Sequence, residues 1–251
     1  MPDLWDELRR TTQSRIGLGR AGNALPTPAE LEFRSAHAEA RDAVHDALDV
    51  DDLLAQLAAA EFTAPPVVTS QATTRDEYLR RPDLGRLLAE PLRTATKAGG
   101  LVIVLADGLS ARAVTAHAVP LLVELARVMP SPAPHAVVVA TQARVALGDQ
   151  IGESLGADAV LVLIGERPGL SVTDSLGAYL TYAPRTGRSD AERNCVSNIH
   201  PPDGLGYPRA ARAIAGLLAA ALEAGESGVR IKDRSDHALP AAGGGLDALP
   251  S

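Results

Sequence analysis

The sequence predicts an α/β protein in which a helical N-terminal unit precedes a parallel sheet flanked by helices. Three observations carry this. Short continuous apolar runs, Leu101–Leu105, Ala136–Ala140 and Ala159–Ile164, appear only after Gly99-Gly100, and unbroken apolar runs of this length mark strands buried on both faces. Helical segments separate the runs, which gives a βαβαβ order, a parallel sheet and right-handed crossovers. Hydrophobic residues make up 46 % of the 251 residues but aromatic ones only 3 %. Leu, Val, Ile and Ala must therefore build the core, which suits helices packed on a Val-rich sheet better than an all-β sandwich.

Taken in chain order, Leu4, Trp5 and Leu8 fall at helical spacing and predict a short helix from Asp3 to about Thr12. Thr27-Pro28-Ala29-Glu30 carries the pattern of a helix start, with Thr as cap, Pro at the first helical position and Glu reaching back. It predicts a helix from Pro28 to about Leu48. Another follows from Asp51 to Ala60, and Thr73-Thr74-Arg75-Asp76 caps a turn before Tyr78. A further helix is expected over Asp83–Ala98, stopped by Gly99-Gly100. No strand is evident in roughly the first 95 residues. Beyond the glycines, helices are expected at Ala111–Val128 and Leu147–Leu155, and a fourth strand at Gly177–Tyr182. The last helix, about Arg209–Ala224, sets Ile214, Leu217, Leu218, Ala221 and Leu222 on one face. The expected organisation is a helical domain over 1–98, a sheet domain over 99–232 and a tail over 233–251. That tail lacks periodicity and reads as disordered.

A net charge of −7 gives no general attraction for phosphate backbones or anionic lipid, so nucleic acid and membrane surfaces are poor partners. No apolar run approaches the roughly 20 residues that span a bilayer, and the start lacks a signal-peptide core, so the expected location is cytoplasmic. The single cysteine, Cys195, excludes an intrachain disulfide and any multi-cysteine metal site.

Gly17-Leu18-Gly19-Arg20-Ala21-Gly22 is a literal GxGxxG. A dinucleotide fingerprint must follow a strand and open a helix, whereas this one follows a helical segment and runs into Asn23-Ala24-Leu25-Pro26. The plain alternative is a turn whose glycines allow close packing. More informative are the loops after the three apolar runs: Asp107-Gly108-Leu109-Ser110, Gln142-Ala143-Arg144-Val145 and Gly165-Glu166-Arg167-Pro168-Gly169. In a parallel sheet all three share the carboxyl edge, where ligands bind. Each also has a structural reading, as Asp107-Gly108 forms common turns, Ser110 can cap a helix and Pro168-Gly169 reverses a chain. Cys195 reads equally as a small buried hydrophobe. His200 follows it by five residues, yet no hydrolase signature surrounds the pair, and no HExxH, GxSxG or Walker A pattern occurs. Nothing in the chain forms a self-sufficient catalytic centre or metal site.

The segments Gly19-Arg20-Ala21-Gly22, Tyr78 to Arg86, Asp107-Gly108-Leu109-Ser110, Asp149-Gln150-Ile151-Gly152-Glu153, Gly165 to Leu170 and Cys195 to His200 occur together in one order. In this the chain resembles the small subunit of ethanolamine ammonia-lyase, from Leu8 through Lys232. The resemblance implies a helical N-terminal domain and a Rossmann-like, cobalamin-contacting domain. It implies a large-subunit partner in a hetero-oligomer and adenosylcobalamin as cofactor. The implied reaction is conversion of ethanolamine to acetaldehyde and ammonia, through homolysis of the cobalt–carbon bond, hydrogen abstraction and amino-group migration. Carried over residue by residue, the cofactor contacts fall on Val145, on Glu166 and on Cys195, the last in a later loop. No catalytic residue is implied, since the substrate site belongs to the large subunit. Two features depart from relatives: the N-terminal extension linked to bacterial microcompartments is missing, which argues against encapsulation, and no Asp-x-His-x-x-Gly sequence is present. The cofactor is therefore expected to keep its own dimethylbenzimidazole on cobalt. The rival readings are a nucleotide-binding α/β enzyme acting alone, resting on Gly17–Gly22, and a non-enzymatic assembly or cofactor-carrier module.

Overall fold

A computed structural model of the protein describes residues 4–92, 99–129 and 136–233. Its elements, in order, are α1 (Leu4–Arg9), α2 (Thr27–His45), α3 (Val50–Ala59), β1 (Val67–Thr69), α4 (Arg75–Arg80), β2 (Leu101–Ala106) and α5 (Ala111–Val128). They continue with β3 (Ala136–Thr141), α6 (Leu147–Leu155), β4 (Ala159–Gly165), β5 (Leu176–Tyr182), β6 (Asn194–Ile199) and α7 (Tyr207–Ala224). The three apolar runs are β2, β3 and β4, as expected.

The strands form one six-stranded sheet in the order β1-β3-β2-β4-β5-β6. β1, β3, β2 and β4 are mutually parallel, but β5 runs antiparallel to β4, and β6 antiparallel to β5. The sheet is thus mixed, which corrects the expected parallel, Rossmann-like sheet. The reason lies in the connection 166–175, which contains no helix, because a parallel return requires a crossover of a dozen or more residues. A second correction concerns Cys195, which lies within strand β6 rather than in a loop.

Alternation along the buried strands divides the core into two faces. Leu101, Ile103, Leu105, Leu161 and Leu163 pack with residues of α3, α5 and α7, whereas Val102, Val104, Val160 and Val162 pack with Leu147 and Ile151 of α6. Each fully buried aliphatic side chain contributes about 1.5–3 kcal/mol. By that measure the sheet dominates stability, because α1 buries no residue and α2 buries only Ala36 and Ala43.

The N-terminal stretch differs from expectation in three places. It contributes a strand, β1, which pairs with β3. α2 starts at Thr27 itself, so the Thr27 hydroxyl makes no cap bond, and the helix stops at His45 where Asp46 turns extended. The helix expected over Asp83–Ala98 does not form through residue 92: Leu84–Arg86 make one 3-10 turn and Leu87 is extended. Tertiary bonds override local propensity there. Gln71 donates to the Leu87 carbonyl, Ala89 donates to Thr69, and the Leu88 amide donates to the Gln150 side chain at 2.8 Å. Residues 93–98 of that expected helix, and 234–251 of the expected tail, lie outside the described residues. Among the described residues no helix is long and apolar enough to cross a membrane.

Candidate functional site

β2, β3 and β4 end side by side, with Ala106 in register with Ala140 and Ile164, so the three loops singled out in the sequence do share an edge. They border an open crevice of about 480 Å³ whose lining includes Tyr78, Gly108, Arg144, Val145, Glu166 and Tyr179.

The loop after β2 lines the crevice through Gly108 and Leu109 and also builds it from beneath. Asp107 is buried and accepts from the backbone amides of Gln142 at 2.8 Å and Ala143 at 2.9 Å, and from Arg75 at 3.3 Å. These bonds hold Gln142 at φ +54, a conformation a non-glycine residue keeps only when its surroundings enforce it. The turn then presents Arg144 and Val145 to the crevice. Burial pushes the Asp107 pKa up, while the two amides and Arg75 pull it back. Ser110 plays the capping role, accepting from the Ala113 amide at 3.2 Å at the start of α5. Tyr78 forms one wall. It is fully buried, donates to the Ala143 carbonyl at 3.0 Å and lies under the guanidinium carbons of Arg144 and Arg75, at 4.2 and 4.9 Å from its ring centroid. Such cation–π contacts fix a guanidinium without consuming its hydrogen-bonding capacity. A methyl on Gly85 would stand 2.9 Å from both Arg144 and Tyr78, so that position must stay bare.

Glu166 follows β4 directly. Its Oε2 accepts from the Ser175 hydroxyl at 2.5 Å and from the Asn198 amide at 3.3 Å. Cys195 sits across β5 and β6 in register with Tyr179. The residue is exposed, yet desolvation of its thiol raises its pKa, while the hydrogen bond with Tyr179 pulls it back. Burial likewise raises the Tyr179 hydroxyl, aided by the neighbouring Cys195. The structure therefore brings Val145 and Glu166 into one crevice. Cys195 stands beside it, joined through Tyr179, and lines a second open cavity of about 620 Å³ between β6 and α7.

Sequence reasoning missed Tyr78, Ser175 and Tyr179. Tyr78 had a signal, being a bulky apolar residue inside a capped turn rich in arginine. Tyr179 had none, because its face is set by the register of β5 on β4.

The Gly17–Gly22 segment is not a nucleotide cradle in form. Gly17, Gly19 and Gly22 all have positive φ, and Ala21 and Ala24 form an isolated bridge with no strand before or helix immediately after. A Cβ at Gly17 would lie 2.4 Å from the Trp5 ring, so this glycine admits α1.

A family model described as "Ethanolamine ammonia-lyase light chain (EutC)" matches residues 2–232. The chain belongs to this family. It is 53 % identical over 244 residues to the ethanolamine ammonia-lyase small subunit of Rhodococcus erythropolis, covering 96 % of this chain and 94 % of that protein. The small subunit of Bradyrhizobium diazoefficiens is 53 % identical over 242 residues, covering 93 % and 92 %. That of Ralstonia nicotianae is 49 % identical over 251 residues, covering 95 % and 92 %. All the motif segments quoted above fall within the part that matches the ethanolamine ammonia-lyase light-chain family.

Proposed function

We propose that this chain is the small subunit of an adenosylcobalamin-dependent ethanolamine ammonia-lyase and that Val145, Glu166 and Cys195 contact the cofactor at the interface with a large subunit. The observation that carries the reading is the convergence of Val145 and Glu166 on one open crevice, with Cys195 one residue contact away through Tyr179.

The residues present fit the group. A corrinoid is broad and apolar over its ring and carries amides around its rim. The crevice offers apolar Leu109, Val145 and Ile164 together with Arg144, Glu166 and Arg167. An ionised carboxylate supplies acceptors for amide and hydroxyl donors, and a guanidinium supplies donors for amide carbonyls. The crevice is open on its far side, so a second protein surface is needed to enclose a ligand of that size, and the large subunit fills that role. With no Asp-x-His-x-x-Gly sequence, this chain would offer the cofactor no histidine by that route.

When bound, adenosylcobalamin supplies the radical that abstracts hydrogen from ethanolamine. The chain's own contribution is position and enclosure: Glu166 and Arg144 would hold the polar groups of the cofactor, Val145 would offer it an apolar surface, and the wall of Tyr78 and Tyr179 would keep water out. No side chain here moves a substrate proton. The net negative charge and single cysteine support a cytoplasmic location.

Purified chain mixed with adenosylcobalamin and ethanolamine should yield no acetaldehyde, and adding the large subunit should start turnover. Turnover by this chain alone, or by the full complex without cobalamin, overturns the reading. Within the complex, Glu166→Gln should weaken cobalamin binding about 10- to 150-fold, the cost of losing a charge-assisted hydrogen bond. The Michaelis constant for ethanolamine at saturating cofactor should change far less.

A further inference from the structure

We propose that Ser175 and Gly177, at the start of the antiparallel strand β5, are positioning residues that hold Glu166 with one carboxylate oxygen presented to the cofactor; this rests on the cofactor reading of Glu166 above. A glutamate at the end of a strand would ordinarily sample many rotamers, and a ligand that needs one of them binds more weakly.

Three observations converge. The first is that the protein spends only one of the two carboxylate oxygens. Oε2 takes the Ser175 hydroxyl at 2.5 Å and the Asn198 amide at 3.3 Å. No hydrogen bond reaches Oε1 among the described residues. The backbone reinforces this, since the Glu166 amide donates to the Ser175 carbonyl at 2.9 Å.

The second is the break in the β5–β6 ladder. Leu176 pairs with Ile199 and Ala178 with Val196, so two steps on β5 face three on β6. The extra residue is a bulge, a feature that re-aims groups beside functional sites. Asn198 lies in it at φ +62, and its amide turns to Glu166. The residue is fixed on its other sides, its carbonyl accepting from Leu205 at 2.7 Å and its side chain meeting His200 Nε2 at 2.7 Å.

The third is the space at Gly177. Its φ is not positive, so no backbone conformation calls for glycine. A Cβ there would stand 3.0 Å from Glu166 Oε1, 3.2 Å from Glu166 Cγ and 3.1 Å from the Tyr179 ring. The missing side chain is the room that the carboxylate occupies.

The test is a titration of the full complex with cyanocobalamin, a form that binds without turning over, followed by its absorbance. Ser175→Ala should weaken binding roughly 5- to 10-fold, less than the loss of the Glu166 contact itself because Ser175 acts only on the orientation of that carboxylate. Gly177→Ala should weaken it by a similar factor, and Ser175→Thr, which keeps the hydroxyl, should restore most of the loss. In a Glu166→Ala background neither change should have further effect, since a residue that acts only through Glu166 is fully coupled to it. Ethanolamine's Michaelis constant at saturating adenosylcobalamin should stay within about twofold in the single variants. If Gly177→Ala fails to fold, the Ser175 series decides the matter alone. An undiminished effect of Ser175→Ala in the Glu166→Ala background, or no effect in the wild-type background, overturns the inference while leaving Glu166 as a contact. Unchanged affinity in Glu166→Ala itself instead overturns the cofactor reading of that residue.

Discussion

Strands β2 and β4 are buried at every residue, whereas β6 alternates between half-buried and exposed positions, buries only Ile199 and carries a bulge near its end. The first pair belongs to the parallel half of the sheet, covered by helices on both faces; β6 is the edge of the antiparallel half. The difference separates two tasks. The parallel half supplies the frame and aligns three loops on one edge, because parallel strands of matched register must end together. The antiparallel half supplies adaptable surface, where a bulge, a bare glycine and an exposed cysteine can be tolerated because fewer contacts depend on them. The candidate site lies where the two meet, with Val145 on one side, Cys195 on the other and Glu166 at the junction.

Besides the β4–β5 ladder, the halves are tied together by Arg193, the residue before β6. It forms two bonds of 2.7 Å to Asp149 of α6, one of 2.8 Å to Thr181 of β5 and one of 3.0 Å to the Arg188 carbonyl. Both side chains of the ion pair are 2 % exposed. Breaking a buried pair leaves a lone desolvated charge, so Arg193→Ala should cost about 3–5 kcal/mol of stability. Amide exchange should quicken in β6 far more than in β2; equal quickening in both would show that the halves do not separate.

A smaller effect is expected at the junction itself. A Cβ on Gly165 would fall 2.0 Å from the Ser110 carbonyl oxygen and 2.7 Å from that of Asp107. Backbone cannot yield as a side chain tip can, so Gly165→Ala should cost about 1–3 kcal/mol and displace the adjacent Glu166. Thermal melting and cobalamin titration of the complex should both register it, and loss of stability with intact affinity would show that Glu166 does not depend on the turn.

The smallest effect belongs to the exposed loop leading into β6. The Glu192 carboxylate accepts from the Ser189 amide at 2.8 Å and pairs with Arg188, and these partners, the Ser189 backbone bond foremost, pull its pKa down to about 2. A depressed folded-state pKa means stabilisation that is present above the ordinary value of 4.5 and lost as pH falls through about 2. Glu192→Gln should therefore lower the melting temperature slightly at neutral pH. The gap from wild type should close as pH falls from about 4.5 toward 2; a gap independent of pH would assign the effect to something other than the carboxylate.

The same division governs what the sequence reveals. Leu101–Leu105 and Ala159–Ile164 announce buried strands by composition alone, and α5 and α6 follow with the bounds expected. The segment Cys195-Val196-Ser197-Asn198 has no such run and looks like a loop, because an edge strand needs apolar residues on one face only and a bulge breaks even that alternation. β1 is three residues long and is held by its neighbours rather than by its own pattern. Leu84, Leu87 and Leu88 have helical spacing yet give only one 3-10 turn, since beyond it long-range bonds join Leu87 to Gln71, Leu88 to Gln150 and Ala89 to Thr69. For the site, Val145 and Glu166 could be placed on one edge from strand order. Ser175 and Tyr179 could not, because their neighbours depend on the direction of β5.

The proposed contacts Val145, Glu166 and Cys195 would give a cofactor site that spans both halves of the sheet. A bulky side chain can be placed on either side without entering the core, as Val145 is half-buried and Cys195 exposed. The direct measurement is the affinity of the complete complex for cyanocobalamin, with Val145→Trp and Cys195→Trp compared at unchanged melting temperature. Each is predicted to weaken binding by more than about tenfold, or roughly 1.4 kcal/mol. Loss confined to Val145→Trp, with Cys195→Trp binding as the wild type does, would contradict a site shared across the junction.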